Sequence, residues 1–446
     1  MTINMRKILM TTVGSYGDLH PYIAMARVLR ASGDAVTIAT HSEYRDQVER
    51  IGVQFAPIKP GLDELGPQEA WAAKANHSLT GTAFIVRELL MPFLEDSYDE
   101  IAAVARGQDL IISHVLSFAT PLVAEKLQIP WLSTALQPSP FFSAYDPPAL
   151  GFFTILPHLK FLGPKFVRWF MQSLAEPTKA WTSPIGVLRA KLGLPPNLHN
   201  VLIEGYSPYG TLALFPKQFA QAQPDWPAGV RQIGFPLFDE ETTKAISPQL
   251  QAFLHEGPAP VVFTLGTAIV KMETPYFEIA YEAVKALRMR AVFLVGKNPR
   301  RVPSAAMHDP DVHVSGYEPF SGLFPHAAAI VHQCGIGTTA QALASGRPQI
   351  LVPFAHDQPD NARRVVALGL GKSITARRLS VVKLISAIHE VTRDRRFAAR
   401  AQEFGRNLAD MQFEDELREA VNEMIQPRSM IGNTGILARS TASTTS

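Results

Sequence analysis

The chain has 446 residues, 46% hydrophobic and 18% charged, a balance that excludes a disordered or fibrous chain and gives room for more than one domain. Lys plus Arg total 42 against 40 Asp plus Glu, a net charge of +2, so there is no basic footprint for nucleic acid. Cys334 is the single cysteine; an intrachain disulfide and a multi-cysteine metal site are excluded, and a reducing, cytoplasmic setting is expected.

The N-terminus has a short apolar run after Arg6-Lys7 that passes into a Gly/Asp turn without a small-residue cleavage site, so it reads as a first strand and not an export signal. Strand and helix patterns then alternate: Lys7–Thr12 apolar, Pro21–Ala31 helical, Ala35–Thr40 apolar, Tyr44–Ile51 helical, Val53–Ile58 apolar. Leu110–Ser113 and Trp131–Ser133 are buried-strand patterns with the helical Ala119–Leu127 between them, and together these predict a parallel sheet covered on both faces. Two stretches lacking Asp, Glu, Lys and Arg, Leu127–Tyr145 and Pro319–Gly346, are too interrupted by Pro, Gly and polar residues to cross a bilayer. Gly151–Leu174 mixes Phe152, Phe153, Phe161, Phe166, Trp169, Phe170 and Met171 with Lys160, Lys165 and Arg168. That composition suits either a pair of core helices with cations on the wet face or contact with a membrane surface.

Gln221–Pro236 holds three prolines and reads as a stiff connector, placing a boundary near Gly234 between units 1–233 and 234–426. The second unit repeats the pattern, with strands at Pro260–Leu265, Ala291–Val295, Val312–Val314, Ala328–Val331 and Gln349–Val352. Helices are predicted at Tyr276–Leu287, Thr338–Ser345 and Asn361–Leu368. Residues 427–446, rich in Ser, Thr and Gly without apolar periodicity, read as a disordered tail.

Three strand-to-helix junctions carry chemistry. Gly14-Ser15-Tyr16-Gly17-Asp18-Leu19-His20-Pro21 is a Gly-rich turn that allows close approach of a ligand and ends at free helix N–H donors; it also reads as a plain tight turn capped by Asp18. A dinucleotide fingerprint is incomplete, because the third glycine is missing and the second strand ends in Thr40-His41 without an acid. Val331-His332-Gln333-Cys334-Gly335-Ile336-Gly337-Thr338-Thr339 suits a diphosphate cradle, or a Gly-rich turn with a Thr cap. Cys334, with no basic neighbour, reads as a packed small residue. Asp357-Gln358 follows the next strand, where loops beyond strand carboxyl ends collect ligand groups, although such a pair alone is also a polar helix start.

Taken together, Gly-Ser-x-Gly-Asp-x-x-Pro, His-x-x-Gly-x-Gly-Thr-Thr and Asp-Gln-x-x-Asn-Ala resemble inverting glycosyltransferases of the GT-B fold, among them sterol and antibiotic glucosyltransferase-like enzymes. Leu214-Phe215-Pro216, Asp225-Trp226-Pro227 and Gly234–Asp239 are similar to the bacterial rhamnosyltransferase-like branch. The resemblance spans about Lys7 to Gly371. It implies an α/β chain with two Rossmann-like domains facing across a cleft, the acceptor bound by the first and a UDP- or dTDP-linked sugar by the second. The acceptor implied is an apolar or lipid-like molecule; the composition of Gly151–Leu174 adds the expectation of peripheral contact at the inner membrane face. Asp18 holds the family's base position and His20 is the nearby alternative. For the donor the resemblance points to Gly17, Gly266, Thr267, Tyr317 as base-stacking ring, Phe320, His332, Gln333, Gly335, Gly337, Thr338, Thr339, Asp357 and Gln358. Many relatives carry His-His where this chain has His332-Gln333, so the phosphate contact is either His332 or the backbone amides. No metal or cofactor beyond the nucleotide sugar is expected. An epimerase or hydrolase on the same fold, or a silent activating partner, would share parts of this pattern.

Overall fold

The computed structural model describes residues 5–151, 154–197, 199–239, 245–266, 274–296 and 301–425; Thr267, Phe152, Phe153 and the 427–446 tail lie outside them. The first sheet is built from β1 (Lys7–Thr11), β2 (Ala35–Thr40), β3 (Gln54–Pro57), β4 (Leu110–His114), β5 (Trp131–Ala135), β6 (Thr211–Ala213) and β7 (Val230–Gln232). All pair in parallel in the order β3-β2-β1-β4-β5-β6-β7. β4 and β5 are buried along their whole length, as a parallel strand covered on both faces must be.

The second sheet contains β8 (Val261–Thr264), β9 (Ala291–Leu294), β10 (Val312–Ser315), β11 (Ala329–His332), β12 (Gln349–Leu351) and β13 (Gly371–Ser373), parallel in the order β10-β9-β8-β11-β12-β13. Both sheets walk outward from a first strand and then reverse, between β1 and β4 and between β8 and β11. Such reversals open a crevice at the strand carboxyl ends, and the predicted motifs follow β1, β11 and β12.

Three differences from the sequence reading bear on the domain arrangement and the site. The first helix runs Tyr16–Ala31, so Pro21 lies inside it and not at its start. The connector read at Gln221–Pro236 contains β7, a three-residue, half-buried strand too short to show a period. Helix Phe413–Ile425, assigned by sequence to the second unit, packs on the first, where Leu417, Ala420 and Val421 join the core of Leu19, Tyr22 and Ile23. Arg231 pairs with Glu416, Glu419 and Glu423 on that helix, and Arg418 Nε donates to Ser32 Oγ at 2.9 Å. Nothing in its local sequence says which domain receives it.

The chain thus crosses between domains twice. On the outward crossing, Gly234 takes a φ of +88° and Asp239 is buried, accepting from Ser321 N (2.7 Å) and Gln341 Nε2 (3.2 Å) of the second domain. On the return crossing, Met411 sits against Gly234, where an added Cβ would lie 3.1 Å from its Cε. Beneath the cleft one apolar cluster is shared, with Phe141, Phe215 and Phe235 from one side and Cys334, Leu351 and Val365 from the other. Cys334 is therefore a packing residue; burial pushes its thiol pKa well up.

Candidate active site

The β1 turn folds around a carboxylate. Ser15 is the N-cap of helix Tyr16–Ala31 and Asp18 its third residue, forming a capping box in which Asp18 Oδ2 accepts from Ser15 N at 2.8 Å and Ser15 Oγ at 3.2 Å. Asp18 is thus not the cap expected from sequence but its partner. Gly14, at φ +136°, has to be glycine, because a Cβ there would lie 2.3 Å from Asp18 Oδ2. The loop is pinned from behind by Tyr44, which donates to Gly14 O at 3.1 Å, and by His41 Nε2, which accepts from Gly14 N at 3.0 Å.

With Oδ2 engaged, Asp18 Oδ1 lies 3.6 Å from Nε2 of buried His114, the last residue of β4. That is too long for a hydrogen bond, and it is an ion pair only if the ring is protonated. Burial holds the His114 pKa below its ordinary value, against the opposing pull of Asp18, so the ring is neutral at pH 7. Sequence reasoning passed over His114; the available signal was a histidine at the carboxyl end of a strand beside the topological switch. His20 lies two residues beyond Asp18 along the helix, its ring 5.4 Å from Tyr16 and 5.3 Å edge-on from Phe238. Its Nε2 is buried without a partner among the described residues, and burial lowers its pKa to about 4.

In the second domain the β11 turn leads into helix Ile336–Ala344, whose N-terminus faces that of the first helix: a Cβ on Gly337 would stand 3.9 Å from Gly17 Cα. Two positive helix ends therefore converge on the cleft. His332 does not reach it. Its Nε2 bonds Gln349 Oε1 at 2.9 Å, its Nδ1 accepts from Cys334 N at 3.2 Å, and it is fully enclosed, so burial drives its pKa down to about 4. Gln333 lies over Gly266 and Gly335, its Nε2 3.5 Å from Thr338 Oγ1, and side chains at those glycines would come within 2.0 Å and 3.1 Å of it. Gln333 Oε1 and Thr339 Oγ1 are buried without partners among the described residues, as polar atoms awaiting a ligand would be.

The β12 turn brings the third motif to the same place. Asp357 Oδ2 accepts from Asn361 Nδ2 at 2.6 Å, and the same amide donates to Cys334 O at 3.0 Å, tying the two turns together. Burial raises the Asp357 pKa to about 7, the Asn361 bond opposing and the Asp18 charge adding to it. Gln358 Oε1 is spent on the backbone, accepting from Phe354 N (2.8 Å) and Ala355 N (3.2 Å). Beyond β10, the edge strand of the second sheet, Tyr317 is 50% exposed. Phe320 instead stacks on Phe324 at 4.4 Å beside the core, and Glu318 is buried on Ser247 and Ser315. The structure thus brings together Gly17, Asp18, Gln333, Gly335, Gly337, Thr338, Thr339, Asp357 and Gln358 at the cleft.

Buried charges hold the two walls in register. Asp360 accepts from Arg364 Nε at 2.8 Å, Arg363 Nη2 at 2.9 Å and Ala149 N of the first domain at 3.0 Å. Asp146, also of the first domain, meets Arg364 at 2.7 Å and Arg363 at 3.1 Å. Burial works to raise the Asp146 pKa, and the two arginines overcome it.

A model of the glycosyltransferase family 28 N-terminal domain matches residues 8–142, and one of the erythromycin biosynthesis protein CIII-like C-terminal domain matches 287–424. The chain is 30% identical to glycosyltransferase GtfE of Amycolatopsis orientalis, over 82% of this chain and 85% of that one. It is 27% identical to the sterol 3-beta-glucosyltransferase of Komagataella phaffii over 90% of its own length, but spans only 33% of that longer protein. The solved structure of the kitacinnamycin glycotransferase superposes with a TM-score of 0.69 at 21% identity, covering 95% of this chain and all of the other, and so shares its two-domain fold.

The glycine cradle is directly testable. Gly266→Ala should cost about 1–3 kcal/mol by forcing Gln333 aside, and Gly266→Ala/Gln333→Ala should regain most of that loss in a thermal melt.

Proposed function

Because the chain belongs to the glycosyltransferases of the GT-B fold, we propose that it moves a hexose from a UDP- or dTDP-linked donor to a hydroxyl of an apolar or lipid-like acceptor, inverting the anomeric carbon. The observation that carries this reading is the convergence of two helix N-termini, at Gly17 and Gly337, on a cleft with Asp18 on one wall and Asp357 on the other.

Asp18 is the base. Its free oxygen takes the acceptor proton, the acceptor oxygen bonds to the anomeric carbon, and the bond from that carbon to the diphosphate breaks. The Ser15 amide and hydroxyl, both on Oδ2, orient that carboxylate, and neutral His114 lies beside Oδ1. His20 is less suited, since its ring is taken up with Tyr16 and Phe238. Charge left on the nucleoside diphosphate is met by the amides and dipole of helix Ile336–Ala344 and by the Thr339 hydroxyl. Gln333 replaces the usual cation: turned so that Oε1 accepts from the Thr338 hydroxyl, it presents its NH₂ to the diphosphate. Asp357 and the Gln358 amide hold the sugar hydroxyls, and Tyr317 stacks on the base. None of these steps calls on a metal or a cofactor.

An apolar acceptor fits the surface beside the first domain. Helix Pro164–Ala175 buries Val167 and Met171 against Leu156 and Ala144, while Ile155, Phe161, Leu162, Phe166 and Trp169 are exposed next to exposed Lys160 and Lys165. One side of this stretch is therefore core, and the other offers rings and cations to an apolar or lipid partner. Arg168 is less available, being paired with Asp225 at 3.2 Å. No helix among the described residues is long and apolar enough to cross a membrane, and the proposed contact of this face is with a membrane surface.

Three measurements test the proposal. Asp18→Asn retains an acceptor for the Ser15 cap, so it should fold normally and lose about 10²–10⁴ in transfer rate; near-normal turnover, with the loss in His20→Ala instead, would move the base. Asp357 is protonated below pH 7 and ionised above it, and the anion is the stronger acceptor of sugar hydroxyls. Donor kcat/KM should therefore rise with pH through about 7, and Asp357→Asn should flatten that inflection. Vesicles of phosphatidylglycerol should sediment the protein at low salt and release it at high salt, with Phe161→Ser/Trp169→Ser and Lys160→Gln/Lys165→Gln each weakening binding; no sedimentation of the parent would discard membrane docking.

A further inference from the structure

His356 immediately precedes Asp357, and its backbone stands at φ +55°, a left-handed conformation uncommon for residues other than glycine, although Asn, Asp and His enter it more often than the rest. Strain of this kind persists only where surrounding contacts over-determine it. Here those contacts come from the other domain. The His356 Nδ1 lies 3.2 Å from Thr82 Oγ1, and the ring also bonds the backbone of Ala75. Burial holds the imidazole pKa below its ordinary value, so the ring is neutral, with one nitrogen donating to the Ala75 carbonyl and Nδ1 accepting from the Thr82 hydroxyl.

Its seat is built from two short helices of the first domain, Gln68–Ala75 and Gly81–Phe84. Gly81 has no alternative there: a Cβ would stand 2.2 Å from Ala75 O and 3.2 Å from His356 Cε1. A second bond, Arg377 Nη2 to Ser78 Oγ at 2.8 Å, joins the same segment to the second domain. On the donor side the strained residue is coupled to the site through its neighbours, since the amides of Phe354 and Ala355 bond Gln358 Oε1 and Asp357 bonds Asn361.

We propose that His356 is a positioning residue. Its contact with Thr82 and Ala75 holds the β12 turn in its left-handed form, so that Asp357 and Gln358 are set for the sugar only when the first domain is closed against them. The inference rests on the reading of Asp357 and Gln358 as sugar-holding residues. It adds that the acceptor domain sets them, which links domain closure to donor alignment and suppresses loss of the sugar to water while the cleft is open.

The test uses His356→Gly, which accepts the same φ without strain, and Thr82→Val, which removes the hydroxyl far from the turn in sequence. Hydrogen exchange at the Phe354 and Ala355 amides should rise by about 3–10-fold in both variants, and the double variant should exceed His356→Gly little or not at all. Binding of UDP and dTDP, by calorimetry, should stay within about twofold of the parent, while hydrolysis of UDP-glucose or dTDP-glucose relative to transfer should rise. Unchanged exchange in Thr82→Val, additive effects, or altered exchange with an unchanged hydrolysis-to-transfer ratio would overturn the proposal. Failure of the underlying reading looks different: Asp357→Ala would leave donor kinetics intact while the exchange coupling from Thr82 remained.

Discussion

The carboxylate of Asp360 has no exposure to solvent, and it anchors a buried charge network that joins the two domains. Two guanidinium groups on its own helix neutralise it, while one backbone amide from the first domain and the shared arginines reaching Asp146 bring the opposite wall into the same network. A buried charge is tolerated only when its partners are all in place, and removing one typically costs about 3–5 kcal/mol. The helix that Asp360 occupies begins with Asp357 and Gln358. Its position fixes the third motif, Asn361 passes that position on to the β11 turn, and the two facing helix ends follow from it.

Much of this was legible in the residues. The strands with unbroken apolar runs, β1, β2, β4, β8, β9 and β11, were found because burial on both faces leaves an unmistakable composition. The three motifs were found because glycines and small polar residues at strand-to-helix junctions serve few purposes besides close approach. What escaped has physical reasons. β7 and β13 have three residues each, below the length at which a period exists. The helices over 68–105 carry no motif, so the seat of His356 was invisible, and a left-handed histidine has no sequence signature. His332 and Gln333 exchanged importance for a reason that only packing shows: the strand ends on His332, turning it inward to Gln349, and the next side chain then points out over Gly266.

That exchange bears on the electrostatics of the site. A cation at residue 333 would attract a diphosphate over several ångströms, whereas an amide acts at contact distance only. The site compensates with geometry. Gly266 and Gly335 leave room for the Gln333 amide, the helix N-terminus supplies positive potential without a mobile charge, and Thr339 Oγ1 is buried without a partner among the described residues. Under the proposed function, donor recognition built this way would be less sensitive to ionic strength and more demanding of the leaving group's shape.

The double crossing between domains has a mechanical consequence. Gly234 and Met411, one on each crossing, are in contact, so both covalent links run through nearly one point. Helix Phe413–Ile425, locked onto the first domain by Leu417 and by the Arg231 and Arg418 pairs, prevents the second link from sliding. Two bodies pinned at one place by two short tethers keep little freedom to translate, and their remaining relative motion is a swing about that pin. Contacts far from the pin then travel furthest for a given angle, so such a joint acts as a lever.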